Sequence, residues 1–106
     1  MVQDPPASIE QQIAAEKAAA LGRNGRKLRL ALDNLRRFDE RIARGGRIPD
    51  PAARAKLVEL AGDAFWSYVV QREALGLMDS EYIGREYGVP PDVWRAMRPR
   101  PRRYQG

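Results

Sequence analysis

Ala14, Leu21, Leu28, Leu35 and Ile42 recur at every seventh position in the first part of the chain, with Ala31, Leu32 and Phe38 flanking that seam. Seven residues are close to two turns of α-helix, so these side chains share one face of a rod. Ser8 followed three residues later by Gln11 is the capping-box pattern that opens a helix. Gly45-Gly46 supplies the stop. The register runs unbroken across Gly22 and Gly25, which predicts one long helix over about 8–44. Each internal glycine costs about 1 kcal/mol relative to alanine, so a bend or break near Gly22 to Gly25 is the competing expectation.

The link Gly45-Gly46-Arg47-Ile48-Pro49-Asp50 is short enough to turn the chain back antiparallel. Asp50 suits an N-cap and Pro51 suits the first helical position, so a second helix is expected over about 51–75, closing at Gly76. Helical spacing assigns Leu57, Leu60, Ala61, Ala64, Tyr68 and Leu75 to its inner face. Two short helices follow, over about 80–87 and 91–98, separated by Gly88-Val89-Pro90. Residues 1–7 are expected to be disordered. The Arg/Pro tail 99–106 is expected to be extended, because its prolines cannot continue a helix. The fold class is therefore all-α, one domain built on a long antiparallel hairpin with two short C-terminal helices.

The run Phe65-Trp66-Ser67-Tyr68-Val69-Val70 points apolar groups around most of the second helix. A helix that is apolar on several sides is buried on several sides. The preferred remedy is a homodimer in which two hairpins complete a four-helix bundle. Its shared core would hold Leu28, Leu32, Leu35, Phe65, Trp66, Tyr68 and Val69. The alternative is that the C-terminal helices fold back and cover the belt within one chain.

Composition removes most enzyme chemistry. The 106 residues contain no His and no Cys, and no Thr either. Common zinc sites, the Ser-His-Asp triad, thiolate catalysis and the Glu-x-x-His di-iron motif therefore cannot be built. Glu59 and Asp63 lie one helical turn apart in the manner of a magnesium pair, but no second acidic pair faces them in sequence. No enzyme activity, cofactor or metal is expected. No apolar run approaches the roughly 20 residues of a membrane span, and the first residues lack a signal-peptide pattern, so the expected setting is cytoplasmic.

The net charge of +5 is unevenly spread: residues 23–47 carry nine bases and three acids, and 95–106 carry five arginines without an acid. Such a layout serves either polyanion binding or self-complementary docking. Arg37, Arg41 and Arg44, with Arg23, Arg26 and Lys27, lie away from the leucine seam. Asp33 with Arg37 and Glu40 with Arg44 form acid-before-base i,i+4 pairs that suit a solvated face. Leu30 within this basic face points to a contact surface, but the solvated face is the preferred reading.

Ile83 to Met97 has the spacing of a helix-turn-helix, with Gly84, Tyr87, Gly88, Trp94 and Met97 at its positions. Its groove-facing residues would be Pro90, Pro91, Asp92, Arg95 and Ala96, of which only Arg95 suits a base edge. A structural corner is therefore preferred to a DNA reader. Arg95, together with Arg98, Arg100, Arg102 and Arg103 of the tail, completes the candidate polyanion contacts. Self-association or another protein partner ranks ahead of nucleic acid, and no membrane partner is expected.

Three stretches carry a likeness: Ala15 to Arg23 (AEKAAALGR), Val70 to Leu77 (VQREALGL) and Tyr87 to Trp94 (YGVPPDVW). Together they resemble a family of short, helical bacterial proteins of uncharacterised function. The resemblance implies a helical fold and assigns neither an activity nor functional residues.

Overall fold

Four helices follow one another: α1 (Ile9–Ala43), α2 (Ala53–Ala74), α3 (Ser80–Glu86) and α4 (Pro91–Ala96). The structure, a computed structural model, describes residues 8–48 and 50–97. No strand occurs among them. The N-terminal residues 1–7 and the tail 99–106, with Arg98, Arg100, Arg102 and Arg103, lie outside the described residues.

α1 is one uninterrupted helix through Gly22 and Gly25, about 52 Å long at 1.5 Å per residue. Its start is the predicted capping box. The Gln11 N–H donates to Ser8 Oγ at 3.1 Å, and the Ser8 N–H donates to Gln11 Oε1 at 2.8 Å. α2 begins two residues later than expected. The Asp50 side chain accepts from the Ala52 N–H at 2.9 Å, and its carbonyl accepts from the Ala53 N–H at 2.9 Å. Pro51 and Ala52 are thereby held in a turn, and Ala52 serves as an N-cap with no side-chain bond. α1, α2 and α3 all end the same way. Glycines 45, 76 and 88 take φ of 87°, 85° and 63°, and two backbone bonds close each end in the Schellman pattern.

α1 and α2 form the antiparallel hairpin, and α4 lies across α2. Leu28, Phe65 and Val93, from three different helices, have no exposed surface. Around them pack Leu32, Leu35, Ala61, Tyr68, Val69, Ile83 and Val89. The edge of Phe65 meets the Trp94 ring at 4.8 Å between centroids, at 89°. Close approaches depend on missing side chains. A Cβ on Gly62 would stand 2.8 Å from the Ala96 Cβ, and one on Gly25 would stand 3.0 Å from the Tyr87 hydroxyl. Gly84 leaves the room in which the Trp94 indole sits.

Two arginines tie the helices together. Arg54 donates to Asp39 of α1 at 2.8 and 3.0 Å and to Asp92 of α4 at 2.7 Å. Arg72, near the end of α2, donates to Asp79 at the start of α3 at 2.5 to 3.1 Å. These bonds hold the Asp92 and Asp79 carboxyls below the usual carboxylate range. Burial raises the Tyr87 phenol, and its hydrogen bond with Tyr68 adds to that rise.

Candidate interaction surface

The belt on α2 is covered largely by its own chain. Phe65, Tyr68 and Val69 are buried in one cluster with Ile83, Val89 and Val93 of the C-terminal segment and with Leu28, Leu32 and Leu35 of α1. Six of the seven residues expected in a core shared between subunits therefore belong to the intrachain core. The seventh, Trp66, is half-buried and outside that cluster. α4 docks on α2, with Ala96 seated on Gly62.

The opposite side of the hairpin is open. Leu30, Ala31, Leu57, Leu60 and Ala64 line a groove of about 210 Å³ between α1 and α2, with Lys27 and Asn34 at its margin. Leu30 is 59% exposed and Leu60 is 47% exposed. Leu60, expected on the inner face of α2, is turned into this groove instead. Leu75 is also exposed, near Leu77, Met78 and Tyr82 at the α2–α3 end.

Every residue from Ser8 to Ala19 is exposed, including Ile9 at 71% and Ile13 at 46%. The hairpin contacts begin only further along. Leu21 packs against the core, and the Asn24 side chain donates to Gln71 Oε1 at 2.5 Å. At 1.5 Å per residue the projecting arm Ile9 to Ala20 is about 18 Å long. The Cα radius of gyration is accordingly 18.2 Å, against about 13 Å for a compact domain of this size.

The basic residues flank this surface. Arg37, Arg41 and Arg44 are exposed along α1, as are Arg23, Arg26 and Lys27. Arg41 lies over the Phe38 ring at 5.3 Å, and Arg44 meets Glu40 at 3.8 Å. The expected Asp33–Arg37 pair is replaced by Asp33–Arg36 at 3.2 Å. A second cavity, about 400 Å³, lies between α1 and the α3–α4 turn. Most of its charges are matched: Arg36 pairs with Asp33 and Glu40, and Asp39 with Arg54, while Arg29 lies over the Tyr87 ring at 4.4 Å.

The helix-turn-helix-like corner is built into the core. Of its candidate groove-facing residues, Asp92 is bonded to Arg54, Ala96 rests on Gly62, and Pro90 is half-buried. Pro91 and Arg95 are left exposed, on a helix of six residues. Among the described residues, no three acidic side chains gather into a cation site around Glu59 and Asp63 or elsewhere. None of the described helices is long and apolar enough to cross a membrane.

Sequence reasoning found Leu30 but missed Leu60, Ala64 and the isoleucines of the arm. The signal for the isoleucines was available, because Ile9 and Ile13 sit four apart in an alanine-rich stretch with no second helix in sequence to cover them. No family model, curated protein or solved structure matches this chain, so the likeness to short helical bacterial proteins rests on its three sequence stretches alone.

Proposed function

We propose that this chain is a non-enzymatic interaction or scaffold module that works as a homodimer. The observation that carries the reading is the open apolar groove between α1 and α2, on the side of the hairpin that α3 and α4 leave bare. A chain that buries its α2 belt internally yet displays Leu30 and Leu60 side by side retains a reason to associate. The lack of His and Cys, and the engagement of Asp39, Asp79 and Asp92 in ion pairs, speak against a catalytic centre. Sedimentation equilibrium at tens of micromolar should find a dimer. A chain that stays monomeric there overturns the proposal, as does a dimer whose affinity is unchanged in Leu60→Asp.

Nucleic-acid binding is the competing reading, and the exposed row Arg37, Arg41 and Arg44 with Arg95 is what favours it. Gel shifts on mixed DNA and RNA at low salt discriminate the two. Retardation that fades steeply with salt would support a phosphate-binding role, and its absence removes that role.

A further inference from the structure

We infer that the partner in the groove is the projecting arm of α1 from a second copy, the two α1 helices running antiparallel about a two-fold axis between Leu21 and Gly22. This rests on the homodimer reading and adds its register.

Three observations lead to it. First, the arm needs a partner. Ile9 and Ile13 are exposed on it, and a helical segment of about this length is marginal in water without packing on its apolar side. The partner cannot be its own groove. Because α1 is continuous, Ile13 stays about 26 Å along the rod from Leu30.

Second, the apolar groups share a phase. At about 100° per residue, Ile9, Ile13, Glu16 and Ala20 fall on a stripe about 60° wide that also holds Lys27, Ala31 and Asn34, with Leu30 about 40° beyond its edge. The stripe that bears the isoleucines in the arm therefore becomes the α1 wall of the groove further along.

Third, the charged pair on the stripe, Glu16 and Lys27, matches only in the antiparallel direction; Glu10 with Asp33 and Lys17 with Arg26, level in the same register, are like-charged and lie off the stripe. The arm carries Glu10 and Glu16 against Lys17, whereas 23–47 holds nine bases and three acids. The two-fold axis sets Ile13 opposite Leu30, Ala20 opposite Arg23 and Glu16 opposite Lys27, each pairing occurring twice by symmetry. A parallel arrangement would set Glu16 on Glu16 and Lys27 on Lys27. The overlap of residues 9–34 is roughly 39 Å long and, at the roughly 10–12 Å width of a helix, covers on the order of 400 Å² per subunit, to which Leu57, Leu60 and Ala64 of the α2 wall of the groove add.

The chain has no cysteine, so introduced pairs report cleanly. Ile13→Cys/Leu30→Cys should give a covalent dimer under mild oxidation, since the two positions of one chain are too far apart to bridge. Ile13→Cys alone should not. Glu16→Lys and Lys27→Glu should each weaken dimerisation about tenfold, and the double swap should restore it. Circular dichroism of each variant establishes that the helices are intact. A dimer that ignores both charge changes, or that cross-links through Ile13→Cys alone, refutes this register and leaves the homodimer reading in place. A wild-type chain that sediments as a monomer at tens of micromolar refutes both.

Discussion

Gly62→Ala and Gly22→Ala make the same chemical change in two helix interiors, and the structure gives them different outcomes. Alanine is favoured over glycine by about 0.8–1 kcal/mol in a helix, and both variants gain this. At Gly22 the new methyl meets only the far end of the Arg26 side chain, at 3.3 Å, which swings aside at little cost. At Gly62 it meets the Ala96 Cβ at 2.8 Å and the Ala96 backbone carbon and oxygen at 2.9 Å. Carbon contacts settle at about 3.5–4.0 Å, so α4 must retreat by roughly 0.7 Å or more, and it is pinned by Asp92 to Arg54 and by Val93 in the core. Overpacking of this kind costs about 1–3 kcal/mol. Gly22→Ala should therefore raise stability by about 1 kcal/mol, or roughly 4–8 °C in Tm for a domain of this size. Gly62→Ala should fall below it by about 1–3 kcal/mol. Thermal and urea melts followed by circular dichroism, at one fixed protein concentration because association raises apparent stability, measure the gap. Equal rises in the two variants would mean that α4 does not sit on α2, and the account of how the belt is covered would fail.

Two further outcomes follow from the core and from the carboxylates. Phe65→Ala removes a fully buried ring and its edge contact with Trp94, and should cost about 3–5 kcal/mol in urea denaturation; a loss below 1 kcal/mol would contradict the packing. Asp79 and Asp92 have folded pKa values below their unfolded ones, so the stability they contribute is present above about pH 4 and is lost as pH falls through the depressed values. Tm should be nearly flat from pH 5 to 8, because no histidine titrates there. It should drop below pH 4, with a shallower drop in Asp79→Asn/Asp92→Asn; an unchanged acid limb in that double variant would exclude these two carboxylates as its cause.

The parts of this fold that depend on near neighbours were legible in the sequence. The capping box at Ser8, the glycine stops and the seam Leu28, Leu32, Leu35 are local patterns, and the helices begin and end within a few residues of where those patterns set them. Gly22 and Gly25 raised doubt about continuity because sequence does not distinguish a glycine that loosens a helix from one that makes room. Gly25 makes room, with Tyr68 and Tyr87 against it. Which side of α2 faces which neighbour was not legible. Its apolar residues encircle it, so its phase is set by where α4 lands, and that depends on Gly62 meeting Ala96 far along the chain. Leu60 was misassigned for this reason. Asp92, groove-facing by its spacing, is instead tied to Arg54, a partner too distant in sequence to be read from local pattern.

The unbroken passage of α1 through its two glycines acts as an angular lock. One residue inserted between Ile13 and Leu21 would turn the arm by about 100° and carry both isoleucines off the groove side, while leaving every contact of the hairpin untouched. Seven residues inserted at the same point would restore the orientation to within about 20° and lengthen the arm by about 10 Å. The spacing between the N-terminal isoleucines and the leucine wall is thus constrained in whole double turns, although Ala14 to Ala19 is exposed throughout.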